Sequence, residues 1–366
     1  MKINILLPYK EKFDENKASS VSITVKNNLM HTKFLNGIKV YGQNVENALF
    51  KDNFVGLNYS IFSLKSKNVF LLHRMLDMIS ADNNKKQLIE IHNRPYLINQ
   101  ISSFNHFPVS LFFHNDPLTM KGSKSKRERQ NILEKCAAIF CVSEYIKQQF
   151  MKGISTEKQK VHVLYNGVNR KITHFPEKKK EILFVGRLVS EKGVDLYVEV
   201  VKSIAPNYPD WNFGIIGSLK LGDQNKTNLF GNKVIKKFKS IGSQAKYYGF
   251  RDYSFVEEKM KTTSIMVIPS LWQEPFGLVA AEAMSYGICI IASKVGGIPE
   301  IIRDNGVLIE NINSHKLKKS LIELIDNKKL RNFYQKKAWK DCKFSAENSS
   351  EKLDNYRKII LKQNDY

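Results

Sequence analysis

Short, largely apolar runs recur along this chain, each followed by turn residues and then by a stretch long enough for a helix. That alternation leaves few folds open. Residues 3–7 (INILL), 88–91 (LIEI), 109–113 (VSLFF) and 138–142 (AIFCV) read as buried strands, with an apolar helix over 69–79 and a charged helix over 125–137. The pattern restarts after 161–164 (VHVL), with strands expected at 182–185 (ILFV), 213–216 (FGII), 265–268 (IMVI) and 288–292 (ICIIA). Strands that are apolar throughout and alternate with helices belong to parallel sheets covered on both faces. The fold class expected is therefore α/β, with two doubly wound, Rossmann-like domains facing a central cleft.

At 366 residues the chain is long for one core and comfortable for two. The polar, proline-bearing stretch 173–180 is the expected linker. An N-terminal acceptor-binding domain is placed at 1–172, a C-terminal donor-binding domain at 173–340, and a terminal segment at 341–366. Cys136, Cys141, Cys289 and Cys342 show neither metal-ligand spacing nor a dense disulfide pattern, which suits a reducing, cytoplasmic setting. The apolar run at the N-terminus stops too early for a signal peptide, and no stretch reaches the ~20 apolar residues that span a bilayer.

The formal charge of +23, from 58 basic and 35 acidic residues, suits nucleic acid, an anionic membrane or acidic substrates. It suits equally a Lys-, Asn- and Ile-rich codon usage. No recognised RNA or DNA module accompanies the charge, and aromatics do not interleave with the basic runs, so no nucleic-acid partner is expected. Lys121, Lys124, Lys126, Arg127 and Arg129 form a basic patch over Lys121–Arg129. It is a candidate for an anionic acceptor or for peripheral contact with an anionic membrane surface, against the plain alternative of a solvated helix face.

Ligands of open parallel sheets bind beyond the carboxyl ends of the strands, so the loops there matter most. In FVGRLVSEKG (184–193) a strand ends at Gly186 and a loop follows with Arg187 and Lys192, two cations able to neutralise a diphosphate. In EPFGLVAAEAMSYG (274–287) a helix starts near Gly277, and the backbone N–H groups of Gly277, Leu278 and Val279 would form an anion site. Glu274 lies before that helix and Glu282 within it, placed to accept hydrogen bonds from sugar hydroxyls. Dipole complementation alone would also explain an acidic residue there.

Together with ASKVGGIPEII (292–302), these motifs resemble the donor half of the retaining glycosyltransferases of family four, which have the two-domain GT-B fold. The likeness is strong over residues 182–300. It implies a nucleotide-sugar donor and a glycan or lipid-linked acceptor. Arg187 and Lys192 would hold the diphosphate, Glu274 the transferred sugar and Glu282 the ribose. Gly186, Phe276, Gly277, Leu278 and Val279 would line the donor, with Phe250 and Arg251 flanking the base. His114, after strand 109–113, resembles the family's active-site histidine, with Asn115 and Asp116 beside it. His92 and Arg94, after strand 88–91, are candidates for contact with acceptor or donor. The family's Gly-Gly turn after the first strand is absent. Ser19 and Ser20 stand in for it, which weakens the expected phosphate contact there. The terminal segment resembles a helix that crosses back to the N-terminal domain.

No Asp-x-Asp triplet occurs, so metal carboxylate ligands are not evident and neither metal nor cofactor is expected. No carboxylate other than Glu274 presents itself as a nucleophile, which favours front-face transfer over double displacement. A nucleotide-sugar epimerase and a non-catalytic partner subunit of the same fold are the alternatives. The second is motivated by the missing Gly-Gly and opposed by the intact Arg187, Lys192, Glu274 and Glu282.

Overall fold

The structure is a computed structural model describing residues 1–15, 18–60, 62–82, 86–101, 107–156, 158–218 and 229–363. It divides into two compact units, one of Met1–Gly167 with Ala346–Tyr366 and one of Val168–Ser345.

The first unit runs β1 (Lys2–Leu6), α1 (Ser20–Leu29), β2 (Ile38–Gln43), β3 (Phe54–Leu57), α2 (Lys67–Ser80), β4 (Gln87–His92), α3 (Ile98–Ile101), β5 (Val109–Phe113), α4 (Lys126–Lys135), β6 (Ala138–Cys141), α5 (Glu144–Met151) and β7 (Val161–Val163). Its seven strands are parallel in the order β3-β2-β1-β4-β5-β6-β7. The apolar runs expected as strands coincide with the central ones, where both faces are covered and nearly every position is buried.

The second unit runs β8 (Lys179–Val185), α6 (Val194–Ile204), β9 (Asn212–Ile216), α7 (Leu229–Lys239), β10 (Ala245–Gly249), α8 (Tyr253–Thr262), β11 (Thr263–Ile268), α9 (Leu278–Ser285), β12 (Cys289–Ser293), α10 (Ile298–Ile302), β13 (Val307–Ile309), α11 (Ser314–Asp326) and α12 (Lys328–Asp341). Its six parallel strands lie in the order β10-β9-β8-β11-β12-β13. Strand β8 begins at Lys179, inside the stretch expected as linker. The core joins Ile182, Phe184, Ile215, Ile265 and Ile291 of the sheet to Val198 and Val201 of α6 and Leu317 and Leu321 of α11.

The chain ends with α13 (Ala346–Gln363), which packs on α1 of the first unit; residues 364–366 of the terminal segment lie outside the described residues. Arg357 of this helix is almost fully buried. It meets Glu90 of β4 through two hydrogen bonds of 2.8 Å, one from Nε and one from a terminal guanidinium nitrogen, and Asp354 at 3.1 Å. Asp354 also accepts from Thr32 Oγ1 and the Lys33 amide. A buried guanidinium satisfied on all sides in this way fixes the register of α13 on the sheet. Among the described residues no helix is long and apolar enough to cross a membrane.

Candidate functional site

In the second unit the chain leaves β8 for β9 on one side and returns to β11 on the other, so the switch in winding direction falls between β8 and β11. The loops beyond these two strands are Gly186–Gly193 and Pro269–Gly277, which carry the motifs singled out in the sequence. The loops touch. The Leu271 amide donates to Glu191 O at 2.8 Å. Gly193 has φ +64, and a Cβ built there would lie 2.0 Å from Pro269 O, so only glycine permits the approach.

Lys192 and Glu274 meet across this contact, with Nζ 2.5 Å from Oε1. Ser270 Oγ donates to the same oxygen at 2.6 Å, and Lys192 lies 5.2 Å from the centre of the Trp272 ring. The backbone of Glu274 is held as well, because the Gly297 amide donates to its carbonyl at 2.7 Å. A Cβ on Gly296 would lie 2.1 Å from that carbonyl, which gives the Gly296-Gly297 pair its reason. Arg187 extends into solvent with only a 3.8 Å approach to Glu191, a pairing too exposed to hold it against a stronger anion.

Gly277 caps α9 with positive φ, leaving the first-turn amides of Leu278 and Val279 without carbonyl partners from their own helix. Phe276 is turned into the core, its ring edge-on to Phe344 at 5.9 Å, so only its backbone faces the loop. Glu282 is as buried as Glu274 and is hydrogen-bonded to Tyr253, the first residue of α8. Burial pushes its carboxyl up to about 8; the Tyr253 bond opposes the shift and the neighbouring Glu257 carboxylate adds to it. Glu257 in turn accepts from Tyr286 Oη at 3.0 Å and pairs with Lys171 at 2.6 Å. Phe250 and Arg251 follow β10. Arg251 is exposed and lies 4.9 Å from the Phe255 ring centre.

In the first unit His92 ends β4 and His114 follows the adjacent β5. Their rings meet with His92 Nδ1 2.8 Å from His114 Nε2. His114 keeps an exposed edge, while His92 is buried beneath it, so His92 is not placed to meet a ligand directly. Burial lowers His114 to about 4 and drives His92 well below its ordinary value, with His114 and Arg357 adding to the second shift. Both imidazoles are neutral near pH 7. The Asn93 side chain accepts from the His114 amide at 2.9 Å. Arg94 is half-buried; burial lowers its guanidinium and raises the nearby Glu11 carboxyl. Asn115 is exposed. Asp116 accepts from the Leu118 amide at 2.9 Å and so shapes the following turn. Ser19 precedes α1 without capping it, its Oγ buried and without a hydrogen-bond partner among the described residues, and Ser20 opens the helix.

The basic patch loses one member. Arg129 is buried and donates to the carbonyls of Phe150, Lys152, Ser123 and Lys124, a structural use of its fork, while Lys121, Lys124, Lys126 and Arg127 remain exposed. Ser270 and Tyr253 were not anticipated. Ser270 lies four residues ahead of the EPFGLVAAEAMSYG motif, and nothing local marks Tyr253 as a partner of Glu282, 29 residues on in the sequence.

Among known proteins, the family model described as glycosyl transferases group 1 matches residues 167–341, and that described as glycosyltransferase family 4 matches residues 40–171. An uncharacterized glycosyltransferase of Methanocaldococcus jannaschii is 34% identical over 225 residues, 59% of this chain. That match spans 59% of the relative's own length, less than two thirds of it. Spore coat protein SA of Bacillus subtilis is 26% identical over 70% of this chain and 77% of its own length. Among solved structures, Anabaena HepE in complex with UDP and glucose superposes with a TM-score of 0.76 at 16% identity, over 97% of this chain and 98% of that one. At that identity the likeness is one of fold, two parallel-sheet, Rossmann-like domains.

Proposed function

The chain belongs to the group 1, family 4 glycosyltransferases, and from that premise we propose that it moves a sugar from a nucleoside-diphosphate sugar to a hydroxyl of a surface-glycan or lipid-linked acceptor, with retention at the anomeric carbon. The observation that carries the donor half of this reading is the Lys192–Glu274 contact at the switch point, flanked by the exposed Arg187 and the N-terminus of α9. Cations beside a carboxylate suit a ligand that is anionic at one end and hydroxylated at the other. Arg187 and Lys192 take the diphosphate and stabilise charge on the leaving nucleotide. Glu274, released from Lys192 as the phosphate arrives, accepts from sugar hydroxyls. The amides of Leu278 and Val279 donate to the phosphate or the sugar. Glu282 serves the ribose, which requires Tyr253 to yield or share its hydrogen bond. HepE, bound to UDP and glucose in its solved complex, supports the donor class.

His114 is neutral and can exchange a hydrogen bond with the donor sugar. With Glu274 assigned to sugar binding, no other carboxylate is offered as a covalent nucleophile. The reading is therefore front-face transfer, in which the acceptor hydroxyl loses its proton to the departing phosphate as the glycosidic bond to phosphate breaks. The positive charges of Arg187 and Lys192 do the work a divalent ion would otherwise do, so turnover is metal-independent. Peripheral contact with an anionic membrane through Lys121, Lys124, Lys126 and Arg127 would suit a lipid-linked acceptor.

Product analysis tests the reaction. NMR of the first-formed glycoside should give the donor's own anomeric configuration, at a rate unchanged by chelator. An inverted product, or strict dependence on added divalent metal, contradicts the mechanism.

A further inference from the structure

The chain between β3 and α2 leaves two large apolar side chains bare. Phe62 is 88% exposed and Leu64 fully so, more than any other large apolar side chain among the described residues. Their surroundings are held in place. The Ser63 amide donates to Ser60 O at 3.1 Å and the Tyr59 hydroxyl to Lys65 O at 3.0 Å, which closes the backbone on itself. Tyr59 packs edge-on against Phe70 of α2 with ring centres 5.2 Å apart. Lys67 Nζ lies 4.6 Å from the ring centre of Tyr9 and 5.5 Å from that of Tyr59. The tyrosines therefore turn toward the fold, and Phe62 and Leu64 are left to solvent.

A basic rim surrounds the pair. The Tyr9 amide donates to Asn68 Oδ1 at 2.7 Å, which ties the loop after β1 to the start of α2. Lys10 and Lys12 of that loop are exposed, as is Lys65, while Glu11 is half-buried. The strands are parallel, so the loops after β1, β3 and β5 leave the same edge of the sheet. That edge also carries His114 and the exposed Lys121.

The size of the apolar surface decides what covers it. Phe62 and Leu64 together offer on the order of 300 Å², well short of the roughly 800 Å² that each side of a stable protein interface contributes. A bilayer needs no such area. Two bulky apolar side chains enter its acyl boundary while neighbouring lysines lay their stems along them and carry their ammonium groups to the lipid phosphates.

We propose that Phe62 and Leu64 are a membrane wedge, inserted into an anionic bilayer with Lys10, Lys12 and Lys65 on its phosphates. The wedge supplies the insertion that the basic patch near Lys121 lacks, and it does not depend on the transferase reading.

The test is co-sedimentation of the full chain, at low salt, with vesicles of mixed phosphatidylcholine and phosphatidylglycerol. Wild type should pellet with these vesicles and far less with phosphatidylcholine alone. The double variant Phe62→Ser, Leu64→Ser should partition at least about tenfold more weakly, and Lys10→Gln, Lys12→Gln and Lys65→Gln each about fivefold more weakly. All four should melt with wild type, because the altered side chains are exposed. Leu64→Trp should gain blue-shifted fluorescence on anionic vesicles, a shift that adsorption through charge alone does not produce. Three results overturn the proposal: a wild type that stays in the supernatant, a double Ser variant that partitions like wild type, or a Leu64→Trp emission that vesicles leave unmoved. Self-association that the double Ser variant abolishes, without vesicle binding, overturns it in favour of a second copy of the chain. Vesicle binding is read without donor, so a chain that binds vesicles but no nucleotide-sugar keeps the wedge and loses the transferase reading, and the reverse also holds.

Discussion

Glu274 and Glu282 share one helix region yet sit in different electrical surroundings. Glu274 is matched by Lys192 and Ser270, while Glu282 is buried beside a tyrosine and a second carboxylate. For Glu282 the consequence is a stability cost with a definite sign. Its folded value, about 8, lies above the ordinary 4.5, so between those limits the folded chain holds a proton that the unfolded chain has released. Stability therefore falls as pH rises through that window, by an amount on the order of a few kcal/mol. Glu282→Gln removes the titration. Its melting temperature should exceed that of wild type by several degrees at pH 9, with the gap closing toward pH 5. A difference between the two chains that does not change with pH would contradict the account. The residues of this site were largely legible, because Arg187, Lys192, Glu274 and Glu282 lie in short local motifs. Their partners were less so: the burial of His92 and Arg129 depends on neighbouring strands and loops that no local pattern reveals.

At the scale of elements, the site depends on two loops brought together at the ends of β8 and β11. Gly193 is the hinge of that contact, with φ +64 and Pro269 O in the space a side chain would need. Gly193→Ala should cost about 1–3 kcal/mol, from positive-φ strain together with the clash. That cost should lower the melting temperature by several degrees, and an unchanged melting temperature would show that the loops part freely. Central strands such as β5 and β12 were legible as apolar runs because both their faces are covered. The strands β2 (IKVYGQ), β3 (FVGL), β10 (AKYYG) and β13 (VLI) were not read out, since lysine, glycine or short length breaks their patterns. Three of these four are edge strands, where half-exposed positions dilute the hydrophobic signal. Helix α1 (SVSITVKNNL) was missed because its β-branched residues and weak amphipathicity read as neither helix nor strand.

Across the whole molecule, each unit is a parallel sheet with its chemistry beyond the strand ends. Arg357 and Glu90, 267 residues apart, tie the last helix to the first sheet, a pairing that no sequence spacing announces. The central claim is that the second unit binds a nucleoside-diphosphate sugar through Arg187, Lys192 and Glu274. Isothermal titration calorimetry of the full chain against a panel of UDP- and GDP-sugars tests it directly, with Arg187→Ala as the comparison. The account predicts saturable binding of at least one donor by wild type, weakened roughly 10- to 100-fold in Arg187→Ala by the loss of charge-assisted hydrogen bonds to phosphate. Binding of equal strength by the variant, or no binding of any donor by wild type, would contradict it.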